Sequence, residues 1–340
     1  MASSKLKLSY LDESDWSVWD EFVRTSSLAT VFQSTKYIHI YCKAFNRLAQ
    51  VAVVKRGDFV VGGVVLYPNT FRGFSYLSMP YLIPYNGFVL DSFSETSFYY
   101  KRIHHQREVL EVLLKELEKK WVFCSFHQTP SLEDLRVLID HKWEFIPEYT
   151  VTIPLQEVYR SPDLFIAKDQ RRRIRNFEAE SPVLEESANV AALYDMMVSS
   201  YNSHGFIPPI SREPFIRFSK SLLSENLGRC FILKKSNQLL SGLLVIEDFP
   251  KVYAMFSGRK QGKFASSSEI YLLWAIIKKY AQENFQEFDL LGAMVPSIAK
   301  IKLELGGKLV RSDKIYYFRS SVHRILFHFL VSRRQKRRLL

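Results

Sequence analysis

Lys302 lies in a segment of the sequence whose pattern could hold its positive charge in a fixed position and so bind an anion. Residues 288–310 run FDLLGAMVPSIAKIKLELGGKLV, in which a buried-strand pattern is followed by a short helical pattern and then by Gly306 and Gly307. A glycine in the left-handed conformation commonly ends a helix. The pattern predicts that Lys302 lies on the more exposed side of this helix, where a fixed ammonium could bind a phosphate or stabilise a developing negative charge. The alternative is a solvated surface lysine. Three apolar positions would anchor the helix: Ile298, Ile301 and Leu305.

A basic, serine-rich loop precedes a second helical pattern. Residues 257–268, SGRKQGKFASSS, join a predicted strand to the start of a predicted helix. Free backbone N–H groups and the helix dipole attract anions to such a start. The cations Arg259, Lys260 and Lys263 strengthen that attraction, so we predict a phosphate-binding loop. The alternative is a solvated loop in which Ser266 caps the helix.

A third basic segment, KDQRRRIRNFE at residues 168–178, has a helical pattern. Ile174 and Phe177 can face a core, while three arginines share one side of the helix. Arginine suits forked contacts with phosphate, so the pattern predicts binding of a phosphorylated acceptor or a nucleic-acid backbone. An equally good interpretation is a solvated cationic face paired with Glu178 and Glu180. The three arginines are Arg171, Arg172 and Arg175.

A reaction that releases a proton also needs a proton acceptor or a water route. Candidate acceptors are Glu247 at the end of a predicted strand, and Tyr201 and His204 in YNSHGF. Glu247 could equally be a solvated strand-end acid. Lys36, in the aromatic helix FQSTKYIHIY capped by Ser34, could contact an acceptor phosphate or stay solvated.

Composition limits the class of protein. The 340 residues have an ordinary globular balance, enough for two domains. The three cysteines are widely spaced without a CxxC pair, which argues against a disulfide scaffold or a structural zinc site. The histidines form no HExxH motif, so no metal is expected. The start of the sequence lacks an apolar leader pattern and no long apolar run is present, which predicts a cytoplasmic protein.

The C-terminal tail carries much of the positive charge. Residues 319–340 contain seven Lys or Arg and no acid, out of a formal net charge of +12. Residues 321–340 also have a helical apolar pattern, which predicts an amphipathic helix that could contact an anionic membrane at the inner face. A final helix docked on the protein is the alternative. The apolar positions are Val322, Ile325, Leu326, Phe329 and Leu330.

The sequence repeats one pattern of elements. Residues 53–65, VVKRGDFVVGGVV, align without a gap on residues 232–244, ILKKSNQLLSGLL, and both predict a two-residue hairpin. Similar strands and helices follow each hairpin. We therefore predict an α+β or mixed α/β fold with two tandem domains, each a mainly antiparallel mixed sheet flanked by helices. The predicted division is 1–155, 156–320 and the tail 321–340.

Residues 5–318 resemble the Fem-like branch of the GNAT acyltransferase superfamily, in which one chain holds two GNAT-type domains. Four stretches carry the resemblance: FQSTKYIHIY, KDQRRRIRNFE, SSSEIYLLWAIIKKYAQENFQEFDLLG and IAKIKLELGGKLV. The resemblance implies that Lys302 is the family lysine before the Gly-Gly turn. It also implies that Ser257, Arg259, Gly262 and Lys263 belong to the donor loop, of form Arg/Gln-x-x-Gly-x-Gly/Ala. Phe264 stands where that form has a small residue, which puts acetyl-CoA in doubt as donor.

The resemblance implies an acyltransferase that uses acyl-CoA or aminoacyl-tRNA as donor and no metal. The acceptor would be an amine of a cell-envelope precursor, amino sugar or peptide, as a small molecule or linked to a lipid. The alternative is a non-catalytic GNAT protein that binds RNA or an anionic membrane surface.

Overall fold

The computed structural model describes residues 5–92, 98–203, 205–325 and 327. The chain forms two compact units. Unit 1 comprises the described residues up to Glu148 together with those from Arg311 onward, and unit 2 is Tyr149–Val310. Residues 311–320, which the predicted division assigns to the C-terminal domain, thus group with unit 1.

The first part of the chain alternates helices and strands. Two 3-10 helices, Glu13–Asp15 and Val31–Gln33, precede α1 and α2. The larger elements are β1 (Leu6–Leu11), α1 (Trp16–Thr25), α2 (Thr35–Phe45), β2 (Gln50–Arg56), β3 (Phe59–Leu66), β4 (Pro68–Phe71), β5 (Phe74–Leu77), β6 (Val89–Leu90), α3 (Tyr99–Lys120), β7 (Phe123–His127), α4 (Arg136–Asp140) and β8 (Glu144–Pro154).

The second part repeats the order. Its elements are α5 (Leu155–Arg160), α6 (Pro162–Phe165), α7 (Lys168–Glu178), β9 (Val183–Glu186), α8 (Val190–Ser203), α9 (Arg212–Ser224), β10 (Gly228–Lys235), β11 (Gln238–Asp248), β12 (Lys251–Arg259), α10 (Ala265–Gln282), β13 (Glu287–Asp289), α11 (Pro296–Glu304) and β14 (Lys308–Phe318). The unit boundaries fall inside β8 and β14.

Both predicted hairpins are confirmed. In unit 1, β2 and β3 are antiparallel around the two-residue turn 57–58, where Gly57 has a φ of 64°. In unit 2, β10 and β11 are antiparallel around Ser236 and Asn237, both with positive φ. Positive φ at the turn matches the twist of the flanking strands.

The aligned glycines after the hairpin turns let a helix approach the sheet. A Cβ on Gly63 would lie 2.6 Å from the Trp19 ring of α1, and a Cβ on Gly242 would lie 2.9 Å from Met196 of α8. The helix that follows β1 in unit 1 and the helix that follows β9 in unit 2 thus pack on the second strand of their hairpins, β3 and β11.

Unit 1 has the strand order β1-β2-β3-β6, with β4 and β5 as a separate hairpin. Its strand β7 pairs antiparallel with Lys314–Phe318 of β14. Val109, Leu113 and Leu117 of α3 pack with Val54 and Val64 in a buried core. The amphipathic spacing of α3 therefore covers this sheet.

Unit 2 has the strand order β8-β13-β12-β11-β10-β9, with β12 and β13 parallel and the other pairs antiparallel. Ile174 and Phe177 of α7 pack with α5, with α10 and with one side of the sheet, as the sequence predicts. Helix α8 packs on the other side, where Met196 meets Gly242. The predicted mixed α/β fold with a helix-flanked sheet is confirmed.

Candidate functional site

Lys302 is anchored at the end of strand β13. Its Nζ donates hydrogen bonds to the carbonyl oxygens of Leu290 at 2.8 Å, Gly292 at 2.7 Å, and Leu291 between them. Leu291 has a φ of 49°, which is rare for a bulky residue and persists only where the surroundings impose it. The strained turn aims three carbonyls at one ammonium, so the lysine is held in a fixed position.

Two carboxylates set the charge of this site. Asp289 is 3% exposed and accepts hydrogen bonds from Thr150 Oγ1 and, at 2.8 Å, from the Leu291 N–H. Burial lowers the pKa of Lys302 to about 8, while Asp289 and Glu269 act in the opposite direction. The ammonium is therefore the main form at neutral pH, close to its point of titration.

Both glycines after α11 have a steric role. Gly306 has a φ of 89°, and a Cβ there would lie 2.2 Å from the Phe165 ring. A Cβ on Gly307 would lie 2.1 Å from Val151 and 2.8 Å from the Lys302 carbonyl oxygen. The double glycine ends the helix and lets the lysine-bearing turn pack directly on the core, as Leu305 does with full burial.

Fewer apolar side chains anchor helix α11 to the core than the sequence predicts. Ile301 is partly buried against the core, but Ile298 is 47% exposed and does not anchor the helix. The C-terminal end is instead tied to α7. The Glu304 carbonyl accepts from the Ala167 N–H at 2.8 Å, and its carboxylate accepts from Gln170 at 2.6 Å.

Strand β12 has an open edge beside the lysine turn. It pairs with β13 only from Lys251 to Tyr253, because β13 ends at Asp289. Along residues 254–259, the described part of the chain places no further strand on that side. The pairing with β11 shifts at Met255, which is a β-bulge. We call residues 254–259 the open edge; bulges and unpaired backbone groups are common next to active sites.

The donor loop predicted from the sequence begins on this edge. Ser257 is exposed, and Arg259 donates its backbone N–H to Ser200 Oγ at 2.9 Å. The Arg259 guanidinium is ion-paired with Glu269, the same carboxylate that acts on Lys302. Gly262 has a φ of 141°, a conformation that favours glycine. Glu269 thus connects the predicted donor loop electrostatically with the lysine.

Phe264 does not have the neighbours that the loop motif suggests. It precedes α10 as the N-cap residue, and its ring packs against Phe177 with centroids 5.7 Å apart. The ammonium groups of Lys235 and Lys263 lie 4.5 and 5.2 Å from the ring centroid. The predicted loop lysine therefore stacks on Phe264, and Phe264 belongs to the α7–α10 packing.

The arginine of α7 that reaches the start of α10 is Arg173, which the sequence analysis left out. Its guanidinium donates to Ser266 Oγ at 2.7 Å, in the first turn of α10. Arg173 precedes Phe177 by four residues, so it stands on the helix face that meets Phe264. That spacing is the signal that could have identified it.

The three predicted arginines of α7 have other surroundings. Arg171 is half-buried and donates to the Ile166 carbonyl oxygen at 3.2 Å. Arg172 is exposed, 3.6 Å from Asp169, and Arg175 is exposed near the end of the helix. The exposed pair fits the alternative of a solvated cationic face, and their binding role stays a prediction.

The structure does not bring Glu247 to Lys302. Its carboxylate accepts from Arg229 Nε at 2.5 Å and from Tyr280 OH at 2.6 Å. Tyr280 is eleven residues along α10 from Glu269, a rise of about 16 Å. The network at Glu247 therefore holds the far end of α10.

The remaining predicted residues are placed separately. Tyr201 is half-buried near the end of α8, next to the Ser200 hydroxyl that accepts from Arg259. Lys36 is exposed on α2 of unit 1, and Ser34 caps that helix as predicted. His204 and most of the tail, residues 326 and 328–340, lie outside the described residues.

Two buried or half-buried acids were missed by the sequence analysis. Asp289 could have been found, because an acid inside the apolar strand pattern FDLL is unusual unless it has partners. Glu269 follows three serines at the start of α10 and gives no comparable signal. In the described ranges no group of His, Cys, Asp and Glu could hold a metal ion, and no helix is long and apolar enough to cross a bilayer.

Comparisons with known proteins agree with this geometry. Residues 166–296 match the family model for the acetyltransferase (GNAT) domain. No curated protein sequence matches the chain. The structure of FemX has a TM-score of 0.68 at 13% identity, covering 90% of this chain and 96% of that chain.

Two further structures have the same fold. A tandem GNAT protein from the clavulanic acid pathway has a TM-score of 0.55 at 8% identity, covering 93% of this chain and 99% of that chain. The C-terminal domain of a putative lysylphosphatidylglycerol synthetase from Agrobacterium fabrum has a TM-score of 0.54 at 12% identity, covering 89% and 92%. The resemblance drawn from the sequence is confirmed: residues 166–296 match the GNAT domain, and the chain shares its fold with FemX and with a tandem GNAT protein.

Proposed function

We propose that unit 2 transfers an acyl or aminoacyl group from a CoA thioester or an aminoacyl-tRNA to an amine. The observation that carries the proposal is the Lys302 ammonium, fixed by three carbonyl oxygens where β13 leaves the edge of β12. All three N–H groups of this ammonium are bonded to carbonyl oxygens, so it would act on a developing oxyanion through its fixed charge and not through a further hydrogen bond. Attack by the acceptor amine on the donor carbonyl places negative charge on that oxygen, and collapse of the intermediate expels the CoA thiolate or the tRNA hydroxyl.

The open edge supports binding of an extended donor. Backbone N–H and C=O groups at residues 254–258, before the Arg259 N–H that is bonded to Ser200, can pair with an extended chain that carries amides, as a strand edge pairs with a peptide. The exposed hydroxyl of Ser257 lies on this edge. The loop from Arg259 to Lys263 then offers cations at the far end, which suits the phosphates of CoA or of a tRNA end.

Proton transfer from the amine is assigned to a water route. Glu247 is bound by Arg229 and Tyr280, so its carboxylate already accepts two short hydrogen bonds. Tyr201 remains a second candidate, because its neighbour Ser200 contacts the donor loop. Neither residue is needed as a covalent nucleophile, since an amine attacks the ester or thioester directly.

The proposed acceptor class is supported by the names of proteins that share the fold. One of them is named as a putative lysylphosphatidylglycerol synthetase, which supports aminoacyl transfer to a lipid-linked acceptor. We propose an amine of a cell-envelope precursor, amino sugar or peptide as the acceptor. A non-catalytic binding role is favoured by one observation, the ion pair that occupies the Arg259 guanidinium.

The test uses hydroxylamine as a stand-in for the unidentified amine. Purified full-length protein is screened by thermal shift with acetyl-CoA, longer acyl-CoAs and aminoacyl-tRNA, and the donor that shifts it is used to follow hydroxamate formation. Lys302→Met should lower the rate by about two orders of magnitude, the usual cost of one oxyanion donor. Lys300→Met is the matched control, because Lys300 is exposed on the same helix.

The expected result is a normal rate and an unchanged melting temperature for Lys300→Met. Lys302→Met leaves three carbonyl oxygens without their donor, so it is assayed well below its own melting temperature. Equal rates for Lys302→Met and the wild type would refute the assigned role of the lysine. If no donor shifts the protein and no hydroxamate forms, the transferase proposal fails.

A further inference from the structure

A second feature, in unit 1, has no part in the proposed chemistry. The hairpin of β4 and β5 turns at Arg72 and Gly73, whose φ angles are 49° and 81°. Positive φ at both central residues is the geometry of a tight two-residue hairpin turn. Phe71 and Phe74 flank the turn and are 50% and 52% exposed. The Arg72 guanidinium carbon lies 5.6 Å from the Phe71 ring centroid.

The start of the C-terminal tail lies against this hairpin. Residues 321–325 are helical, and the His323 ring lies 5.7 Å from the Phe74 ring, edge to face. Val322 and Ile325, three residues apart on one side of that helix, are 64% and 68% exposed. We call Phe71, Phe74, Val322 and Ile325 the tip patch. Its two halves are distant in sequence and are brought together only by the fold.

The charge around the tip patch is positive. Arg72 lies on the hairpin and Arg319 precedes the helix, while Arg324 lies within the helix and is ion-paired with Glu144 at 3.3 Å. The sequence from residue 319 onward contains no acid, and residues 333–338 run RRQKRR. Apolar side chains surrounded by arginine are the composition of an interfacial segment.

We propose that the tip patch docks unit 1 on an anionic phospholipid surface. The phenyl rings and the two aliphatic side chains would enter the boundary between headgroups and acyl chains. The arginines would stay at the phosphates, since long basic side chains keep their charge in the polar layer. The sequence of the tail alone suggests contact with a membrane. The hairpin adds Phe71 and Phe74 to that contact, so that a defined face of unit 1 would turn towards the membrane.

The aliphatic half of the patch favours lipid over nucleic acid as the occupant. Single-stranded nucleic acid is bound by aromatic rings that stack on bases. Val322 and Ile325 offer no such stacking, whereas they add to the apolar area that a membrane interface buries. The proposal does not depend on acyl transfer, because docking is measured without donor or acceptor.

The test is flotation of the full-length protein with vesicles at low ionic strength. Vesicles contain phosphatidylcholine alone or phosphatidylcholine mixed with phosphatidylglycerol. Wild type should float only with the anionic vesicles. The double variant Phe71→Ser/Phe74→Ser should bind about tenfold more weakly, because two half-exposed rings no longer enter the interface. Arg72→Ala should bind about fivefold more weakly, the effect of one basic residue.

The matched control is Phe59→Ser. Phe59 is 79% exposed at the tip of the β2–β3 hairpin in the same unit, so it removes an exposed ring without touching the tip patch. Its binding should equal that of wild type. Unchanged melting temperatures of all variants show that the loss of binding is not a loss of folding.

A fluorescent variant reports insertion directly. The five native tryptophans are at most 5% exposed, so Phe71→Trp adds an exposed probe to a buried background. Its emission should shift to the blue with anionic vesicles and be quenched by brominated lipid, and that of Phe59→Trp should not. The native tryptophans are Trp16, Trp19, Trp121, Trp143 and Trp274.

Three results would overturn the proposal. The first is an absence of flotation by wild type with anionic vesicles. The second is equal flotation of Phe71→Ser/Phe74→Ser and wild type. The third is binding of single-stranded RNA that the same double variant weakens and that prevents flotation, which would make the tip patch a nucleic-acid surface.

Discussion

The two units share one order of elements but differ in what lies after the strand that follows their long helix. In each, a hairpin is followed by a long helix, α3 or α10, and then by a strand, β7 or β13. In unit 1 the chain itself fills the space after β7. The Asn86 N–H donates to the His127 carbonyl oxygen at 3.1 Å, and the Asn86 side chain accepts from the His127 N–H at 2.9 Å.

A second buried side chain, that of Gln128 just after β7, also forms hydrogen bonds with the backbone. Gln128 accepts from the Phe88 N–H at 2.9 Å and donates to the Phe88 carbonyl oxygen at 3.1 Å. Asn86 and Gln128 are 2% and 1% exposed. In unit 2 the equivalent place holds a lysine ammonium, and the edge of β12 stays open. The comparison suggests different roles for the two units. At the end of β7 the side chains of Asn86 and Gln128 are bonded to backbone groups, which leaves a structural role, whereas after β13 a fixed ammonium beside an open strand edge forms a candidate site.

The largest loss of stability is expected from replacing a closely packed glycine by alanine in each unit. Gly306→Ala should destabilise unit 2 by about 3 kcal/mol, because the left-handed backbone and the contact with Phe165 both oppose it. Acyl transfer should fall as well, since the turn below Lys302 moves. Gly87→Ala, with a Cβ 2.2 Å from Gln128, should destabilise unit 1 and spare the lysine turn.

Hydrogen exchange with mass spectrometry locates the loss in one unit or the other. Gly57→Ala is the control for backbone strain alone, because Gly57 has a φ of 64° and open space around its Cβ position. It should cost about 1 kcal/mol. If Gly306→Ala cost no more than Gly57→Ala, the close packing of the turn would not be what fixes Lys302.

A smaller effect, on donor binding, is expected from replacing Arg173, which contacts the start of α10 in unit 2. Arg173→Ala should weaken donor binding about tenfold, the value of a charged hydrogen bond to phosphate. The measurement is isothermal titration with the donor found in the thermal-shift screen. Arg172→Ala is the control, because Arg172 is exposed on the same helix and pairs only loosely with Asp169. Equal affinities for the two variants would exclude Arg173 from the donor site.

The last effects concern the dependence of stability and activity on pH, through Lys302 in unit 2 and His127 in unit 1. The pKa of Lys302 is lowered from 10.5 to about 8, so acyl transfer should decline above pH 8 as the ammonium is lost. The unfolded chain keeps this proton up to about pH 10.5. The stability of wild type relative to Lys302→Met should therefore rise with pH between these values. Denaturant unfolding of both proteins across that range measures the difference.

Unit 1 should show the same sign in a different range. Burial lowers the pKa of His127 from 6.5 to about 4, and its Nε2 lies 2.9 Å from Ser312 Oγ. The stability of wild type relative to His127→Gln should therefore fall as the pH drops from 6.5 towards 4. A flat difference in either range would mean that the native group is not buried as described.

The sequence by itself determined the local features of this protein. The hairpin turns at 57–58 and 236–237 follow from turn chemistry, and the repeat of elements around them indicates two units. Lys302 followed by Gly306 and Gly307 identifies the lysine helix and its end. These features depend on residues close together in the chain, where backbone conformation is set by neighbouring side chains.

The tertiary structure decided which of these residues meet. It binds Lys302 to carbonyls of the turn after β13, brings Arg173 to Ser266, and keeps Glu247 at the other end of α10. The Phe74 and His323 rings meet across 249 positions of sequence only because the hairpin and the tail pack on one unit. Such contacts depend on how helices and strands far apart in the sequence pack together. A periodic pattern shows which face is buried but not which partner covers it.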